Sequence, residues 1–388
     1  MKIPFSKIDC SGKELDYIKE VIDSGWLTYG GKSKEFEDIF SRIVDAKHAM
    51  AVNSCTAALH LALDALGIKS GDKVFVPTWT FTASAEVISY FDAVPIFLDV
   101  DYSTGLLTPE IIQKAIIDHP DTKAIIVVHY AGQSAQMFSD NNDKGILDLC
   151  NSAGIRIIED AAHAFPTKCD NHFIGSIGDI TCFSFYANKT ITTGEGGMVT
   201  TQNDEIADRI KTMRLHGINK DAWNRYTSSP QSWEYDIVDA GFKYNTTDLS
   251  SAIGLAQLER YQEMRDLRQE IAEFYLDNLK DIKCLDLPKI EVPLENHSWH
   301  IFNLVLNDKA KIKREELLHY LQEKGIGFSV HYKPLHRMTY YRKTFGLSND
   351  NFPNAERLWK GCFSLPIYPL LTIDERQYII KSLREFLV

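Results

Sequence analysis

What most restricts the fold of this 388-residue chain is a regular alternation, between residues 49 and 201, of short apolar runs with segments of helical spacing. Runs at 49–52, 74–76, 95–100, 124–129, 156–159, 180–186 and 198–201 are rich in β-branched, aliphatic and aromatic residues and read as strands. Helical patterns at 57–66, 82–90, 109–117 and 144–153 separate most of them. Strands that return through helical crossovers pair in parallel, and the crossovers cover both faces of the sheet. The expectation is an α/β fold with a mostly parallel seven-stranded sheet.

In such sheets ligand chemistry gathers at the carboxyl ends of the strands, and four strand ends here carry suggestive residues. The run 180–186 leads into a loop holding Lys189 and then Gly194-Glu195-Gly196-Gly197. Glycines let backbone approach a flat ligand closely, and a desolvated lysine is pushed toward its neutral, nucleophilic form. Each unit of lowering from about 10.4 costs about 1.4 kcal/mol, which the fold has to supply. The strand 156–159 delivers Asp160, followed by Ala161-Ala162-His163; the strand 49–52 runs into Asn53-Ser54-Cys55-Thr56 at a helix start; Trp79 follows 74–76. A helix N-terminus with hydroxyls suits a phosphate. Each has an ordinary alternative: a surface lysine, an Asp or Ser/Thr helix cap, a core tryptophan.

The remaining chain frames this region. Residues 1–48 read as an arm and one or two helices, with Leu15, Ile18, Val21 and Ile22 on one face. A helix runs to about Leu215, then His216-Gly217; the polar, aromatic stretch 219–233 reads as a mobile or an interface loop. A single long helix is expected over 248–279, as a spine between a large domain, 1–250, and a smaller α+β domain, 251–388. The smaller domain holds a strand at 301–306, helices at 314–324 and 374–387, and the run His331-Tyr332-Lys333-Pro334-Leu335-His336.

A net charge of −11 argues against general nucleic-acid binding, though not against a small phosphorylated ligand. Seven scattered cysteines without a CxxC pair suggest free thiols in a reducing compartment. With no signal-peptide core and no run long enough to span a bilayer, a cytoplasmic protein without membrane partners is expected. No GxGxxG follows the first strand, which weighs against a nucleotide-dependent dehydrogenase, and the histidines form no HxH or HExxH metal pair.

A phosphate cup, a stacking aromatic, a strand-end carboxylate and a loop lysine are together the set pyridoxal 5′-phosphate (PLP) needs. The blocks AVNSCTAALHLALDALG (51–67), PTWTFTASAE (77–86), IEDAAHA (158–164), FSFYANKTITTGEGGM (183–198) and GFKYNTTDLSSAIGLAQL (241–258) resemble, in order, the DegT/DnrJ/EryC1/StrS sugar aminotransferases, which share the fold-type I architecture of aspartate aminotransferase. The resemblance implies that Lys189 forms the Schiff base and Asp160 pairs with the pyridine nitrogen. It implies that His163 lies by the cofactor hydroxyl, where many relatives have glutamine, and that Trp79 stacks on the ring. Cys55, Thr56 and Ser184 would hold the phosphate, with cysteine at 55 where glycine is common. Asn245 would reach the neighbouring subunit's phosphate, so a homodimer with shared sites is implied.

The same resemblance implies transamination, through a pyridoxamine 5′-phosphate (PMP) form, from an amino donor, glutamate by family similarity, to a nucleotide-linked sugar. A 4-keto-6-deoxy sugar is the expected acceptor for surface polysaccharide or another glycoconjugate, with a 3-keto sugar or a non-catalytic binding protein as alternatives. For the nucleotide and sugar, His331, Lys333, Tyr341, Tyr29 and His216 are the candidates. Basic His331, Lys333, His336, Arg337, Arg342 and Lys343 cluster with tyrosines in an otherwise acidic chain; a solvated basic loop is the plainer reading.

Overall fold

The computed structural model describes residues 1–140, 144–219 and 235–388. Its strands begin with β1 (His48–Val52), β2 (Lys73–Pro77), β3 (Val94–Leu98), β4 (Ala124–Val128) and β5 (Arg156–Asp160). A small hairpin, β6 (Lys168–Cys169) and β7 (His172–Phe173), precedes β8 (Ile180–Ser184) and β9 (Gly197–Thr201). The hairpin pairs only with itself; the other seven form one sheet in the order β1-β9-β8-β5-β4-β2-β3. Only β9 runs against the rest. The expected mostly parallel seven-stranded sheet is therefore observed.

Helices α1 (Glu14–Ser24), α2 (Gly31–Ile43), α3 (Cys55–Ala65), α4 (Ala83–Ser89), α5 (Pro109–Asp118), α6 (Ile146–Ala153) and α7 (Asp204–Met213) surround this sheet. All five residues of β4 are buried, as a strand covered on both faces requires. Alternate side chains enter two cores: Phe75, Ile125 and Val127 on one face with Phe40 and Phe183, Val74, Val76 and Ile126 on the other with Leu59 and Leu63. Local chemistry sets the helix starts. Ser54 accepts the Ala57 N–H at 3.1 Å to open α3, and Thr108 caps α5 just before Pro109.

The helix expected over 248–279 is two helices, α8 (Asp248–Leu258) and α9 (Tyr261–Leu279). Arg260 leaves helical geometry at φ −121° and ties the corner to the N-terminal arm, donating to Asp9 Oδ2 at 3.0 Å, while Gln257 donates to the Asp9 carbonyl at 2.8 Å. The break follows from burial: α8 is buried nearly all round against α1, α2 and the first core, whereas α9 turns one face toward a third. At its other end Asp248 caps α2, accepting the Gly30 and Ser33 N–H groups at 2.8 and 2.9 Å. A Cβ on Gly30 would lie 2.3 Å from the Trp26 indole, so this approach demands glycine.

The third core starts at Ile271 and gathers Tyr275, Trp299, Phe302, Phe363, Ile379 and Leu383. It is built on the antiparallel sheet β10 (Leu285–Asp286), β11 (Phe302–Leu306) and β12 (Cys362–Leu365), in that order. Helices α10 (Arg314–Glu323), α11 (Thr339–Phe345), α12 (Pro353–Gly361) and α13 (Ile373–Leu387) complete this α+β part. The expected boundary at 250/251 falls in the first turn of α8, which packs on α1 and α2. Ile3 of the arm crosses to the C-terminal part, bonding Gly325 and Gly327. Of the stretch 219–233 read as a mobile or an interface loop, all but Asn219 lies outside the described residues.

Candidate active site

The carboxyl ends of β1, β2, β5 and β8, with the start of the reversed β9, open on a cavity of about 460 Å³, a size that suits a cofactor-scale ligand. Ser54, Cys55 and Thr56 line it at the N-terminus of α3; Asp160, Ala162 and His163 come from β5 and its loop; Ser184, Asn188 and Lys189 follow β8. From the C-terminal part come His300, just before β11, and His331 and Tyr332. The sheet thus holds one wall rigidly, and the second part closes the other.

Asp160 is buried, yet both oxygens have donors: Ser84 Oγ at 2.7 Å and the Ala162 N–H at 3.1 Å. Burial raises its pKa, and the two hydrogen bonds and the charge of Lys189 pull the other way. The net direction is upward, and a cation placed against it would lower it. Lys189 is pushed down to about 8, first by burial and then by the buried guanidinium of Arg268, against Cys55 and Asp160. Its Nζ lies 3.4 Å from His300 Nε2. His163 accepts the Ala131 N–H on Nδ1 at 3.3 Å and meets the Tyr332 hydroxyl through Nε2 at 2.9 Å. Burial, then Lys189 and His331, hold this imidazole well below the usual range, so it is neutral, with its proton on Nε2.

The phosphate-cup candidates Cys55, Thr56 and Ser184 all line the cavity, as do Lys189, Asp160, His163 and His331. Trp79 does not. The indole is wholly buried in the core beside Tyr130, because the chain turns at Thr80 and presents Phe81, 58% exposed, to the cavity instead. Tyr341 is also buried elsewhere, bonded to Thr82 Oγ1 at 2.6 Å. Tyr29 sits under β1 in a buried cluster, donating to Glu37 at 2.9 Å and accepting from Arg214 at 2.8 Å. His216 is exposed at a turn with φ 58°, and Lys333 points to solvent; neither lines the cavity. Within the basic cluster, His336 and Arg337 are both engaged by Glu356. Asn245 bridges β1 at Val52 outside the cavity of its own chain.

Across residues 9–384 the sequence matches the profile of the DegT/DnrJ/EryC1/StrS aminotransferase family. The chain belongs to that family. It is 42% identical over 385 residues to the spore coat polysaccharide biosynthesis protein SpsC of Bacillus subtilis, covering 99% of this chain and 96% of that one. It is 45% identical over 380 residues to an uncharacterized protein of Methanocaldococcus jannaschii, covering 97% and 95%. Among solved structures, PseC of Helicobacter pylori, an aminotransferase involved in the biosynthesis of pseudoaminic acid, superposes with a TM-score of 0.90 at 26% identity, covering 100% and 99%. A Streptococcus pneumoniae protein assigned as a sugar aminotransferase superposes in its PMP-form with a TM-score of 0.88 at 31% identity, covering 99% and 98%, and is also solved in its PLP-form.

For an aminotransferase of this family the cavity's own residues fit PLP. Gly197 packs so closely on the α3 N-terminus that a Cβ would come within 2.6 Å of the Ser54 carbonyl carbon, leaving a cradle only glycine allows. Beside it stand the donors of α3, a lysine whose pKa is pushed down to about 8 and a buried carboxylate. Three residues at the site lacked a decisive sequence signal: Phe81, His300 and Tyr332. Phe81 lies in a block quoted for the resemblance, two positions from the aromatic that was chosen. Tyr332 falls in the aromatic and basic run 331–336. His300 has no motif, and only the fold brings it 111 positions back to Lys189.

Proposed function

We propose that this protein transfers an amino group from an amino acid, glutamate foremost, to a keto carbon of a sugar carried on a nucleoside diphosphate. A 4-keto-6-deoxy sugar is the preferred acceptor and a 3-keto sugar the alternative. The cofactor is PLP, cycling with PMP, as the family and its solved forms indicate. The sugar reading draws support from the polysaccharide role in the name of SpsC and from the sugar aminotransferases among the structural neighbours. One observation carries the chemistry: Lys189 and Asp160, from different strand ends, converge on one cavity with the free N–H groups of α3.

Bound there, PLP supplies an electron-withdrawing ring that makes the Cα–H of an attached amino acid acidic. Asp160, whose two oxygens accept from Ser84 and Ala162, would face the ring nitrogen. Lys189, its pKa pushed down to about 8, would take and return a proton at Nζ. The α3 N-terminus with Thr56 and Ser184 hydroxyls binds the phosphate. Phe81 would cover the ring, and His163, with Nδ1 held by the Ala131 N–H, donates Nε2–H to the Tyr332 hydroxyl, whose own hydrogen is left for a nearby oxygen. His331 contributes to the sugar side. A homodimer in which Asn245 completes the neighbouring site belongs to the same proposal. Support comes from apolar side chains left outside the single chain, Leu15 at 80% and Ile22 at 59% exposed, and from Phe81 standing open at the cavity mouth. Seven free cysteines are in keeping with a cytoplasmic setting.

The test is the visible spectrum of PLP-reconstituted protein and of Lys189→Ala before and after glutamate. The expected result is a band that glutamate converts to the PMP-form and that the variant lacks. The PMP-form protein is then given nucleotide-linked 4-keto and 3-keto sugars, and an amino sugar is sought by mass spectrometry. A wild-type protein with no lysine-linked band would overturn the catalytic assignment; amination of neither sugar would overturn the acceptor.

A further inference from the structure

We propose that His300 is the positioning partner of Lys189, donating a hydrogen bond from Nε2 that aims the lysine amine and favours its uncharged form. The inference rests on the reading above that Lys189 is the reacting lysine. It adds a residue to the site that no sequence motif singled out.

The two ring nitrogens of His300 have different surroundings. His300 Nε2 lies 3.4 Å from Lys189 Nζ, at the outer edge of hydrogen-bonding distance. Its other nitrogen, Nδ1, is buried and has no partner, and the residue as a whole is only 6% exposed. A neutral imidazole carries one N–H and one lone pair, so the state of one nitrogen fixes the other. If Nε2 accepts from a lysine ammonium, the N–H moves to Nδ1 and is buried there without an acceptor. If Nε2 donates to a lysine amine, only a lone pair is stranded at Nδ1. Orphaned buried donors are rarer than under-satisfied acceptors. The packing around Nδ1 therefore selects the tautomer that supports a neutral lysine.

The groups around the pair act in the same direction. His300 is faced by His163, with ring centroids 4.4 Å apart, by His331 and by Arg268 of α9. Burial, then Lys189 and these neighbours, hold the imidazole well below its usual range, so it does not become a competing cation. Lys189 is faced in addition by Cys55 at the α3 N-terminus and Asp160 at the end of β5, which favour its charge, and by Arg268, which opposes it. Asp160 alone would leave the lysine more basic; His300 and Arg268 stand on the other side of the balance. His300 also enters from the C-terminal part while Lys189 belongs to the large sheet, so the contact sets the amine's position between them.

The experiment measures the amine directly. Cofactor-free full-length protein is exposed to a small amine-acylating reagent across pH, and labelling of Lys189 is followed by mass spectrometry in wild type, His300→Ala and His300→Gln. In His300→Ala the labelling midpoint is expected to rise by about one pH unit. In His300→Gln, whose amide N–H can take the Nε2 place, it stays near wild type. With PLP-loaded enzyme, His300→Ala should lose roughly 10–100-fold in kcat with KM for the donor little changed, and the acid limb of kcat should shift upward with the labelling midpoint. His300→Gln retains both. Identical labelling midpoints in wild type and His300→Ala overturn the inference, even if kcat falls, since a merely structural role would lower kcat without moving the titration. That result leaves the PLP reading intact, because Lys189→Ala tests it separately by the loss of the visible band. Should His300→Ala fail to fold, an upward midpoint in His300→Phe, which fills the volume without a donor, supports the proposal, and a wild-type midpoint there refutes it.

Discussion

Ser84 donates its hydroxyl hydrogen to Asp160 Oδ2 across 2.7 Å, from the buried first turn of α4 to the last residue of β5. Ser84 itself meets the Thr80 hydroxyl at 2.8 Å, so the strand end after β2 and the strand end of β5 are joined through one side chain. Hydrogen bonds to charged groups contribute about 1.5–3 kcal/mol, and burial of Asp160 already works against ionisation. Ser84→Ala should therefore weaken PLP binding roughly tenfold or more, read by equilibrium dialysis at neutral pH. An unchanged dissociation constant would mean that Ala162 alone suffices to hold the carboxylate.

Trp79 and Phe81 separate stability from binding. Trp79 is wholly buried among Tyr130 and its neighbours, and truncation of such a side chain costs about 3–5 kcal/mol. Phe81 is mostly exposed at the cavity and has little core to lose. Trp79→Leu is expected to lower the melting temperature markedly with near-normal cofactor affinity in the folded fraction. Phe81→Ala should leave melting of the cofactor-free protein within about 2 °C and weaken PLP several-fold. Calorimetry beside a PLP titration distinguishes them, and the reverse pattern would return the stacking role to Trp79.

Lys189 leaves a mark on stability as well. Its folded pKa of about 8 lies below the ordinary value of 10.5, so between these two pH values the unfolded chain binds more protons than the folded one. Stability from this group therefore rises with pH through that window, and below about 8 the cost of keeping the lysine buried is full, on the order of 3 kcal/mol. Lys189→Met should make the cofactor-free protein more stable than wild type at pH 7, and the gap should close toward pH 10. Urea denaturation at both pH values measures it. A gap that does not narrow with pH would assign the gain to packing instead.

How legible the site was depended on whether its chemistry is local. Lys189, Asp160 and the 54–56 helix start carry their signals in a few consecutive residues, because a strand end, a turn and a helix N-terminus are short-range structures. Trp79 against Phe81 is a choice between two aromatics separated by one residue, and a turn at Thr80 decides it through packing rather than pattern. Tyr29 and Tyr341 are polar-tipped residues of the kind that usually line pockets, but buried partners, Glu37 with Arg214 and Thr82, claim their hydroxyls. His300 depends on a contact spanning 111 residues, which no periodicity announces. The break between α8 and α9 was hidden for a similar reason: the apolar stripe continues through it, while the arm contacts at Arg260 and Gln257 that turn the corner come from the other end of the chain.

Asn245 provides the sharpest test of shared sites. It bridges β1 at Val52 and points its side chain along its own backbone, donating to the Thr246 carbonyl at 2.9 Å, outside the cavity of its own chain. If it serves the neighbouring subunit, each site takes Lys189 from one chain and Asn245 from the other. A heterodimer of Lys189→Ala with Asn245→Ala then concentrates both defects in one site and leaves the other wild type. Purified through two different affinity tags, it should show about half the activity of the wild-type dimer, although both parents are impaired. If Asn245 instead acts within its own chain, each site of the heterodimer carries one defect, and activity stays no higher than the mean of the two parents. Light scattering on the same samples fixes the dimer mass, so a failure to complement reports on where Asn245 acts rather than on failed assembly.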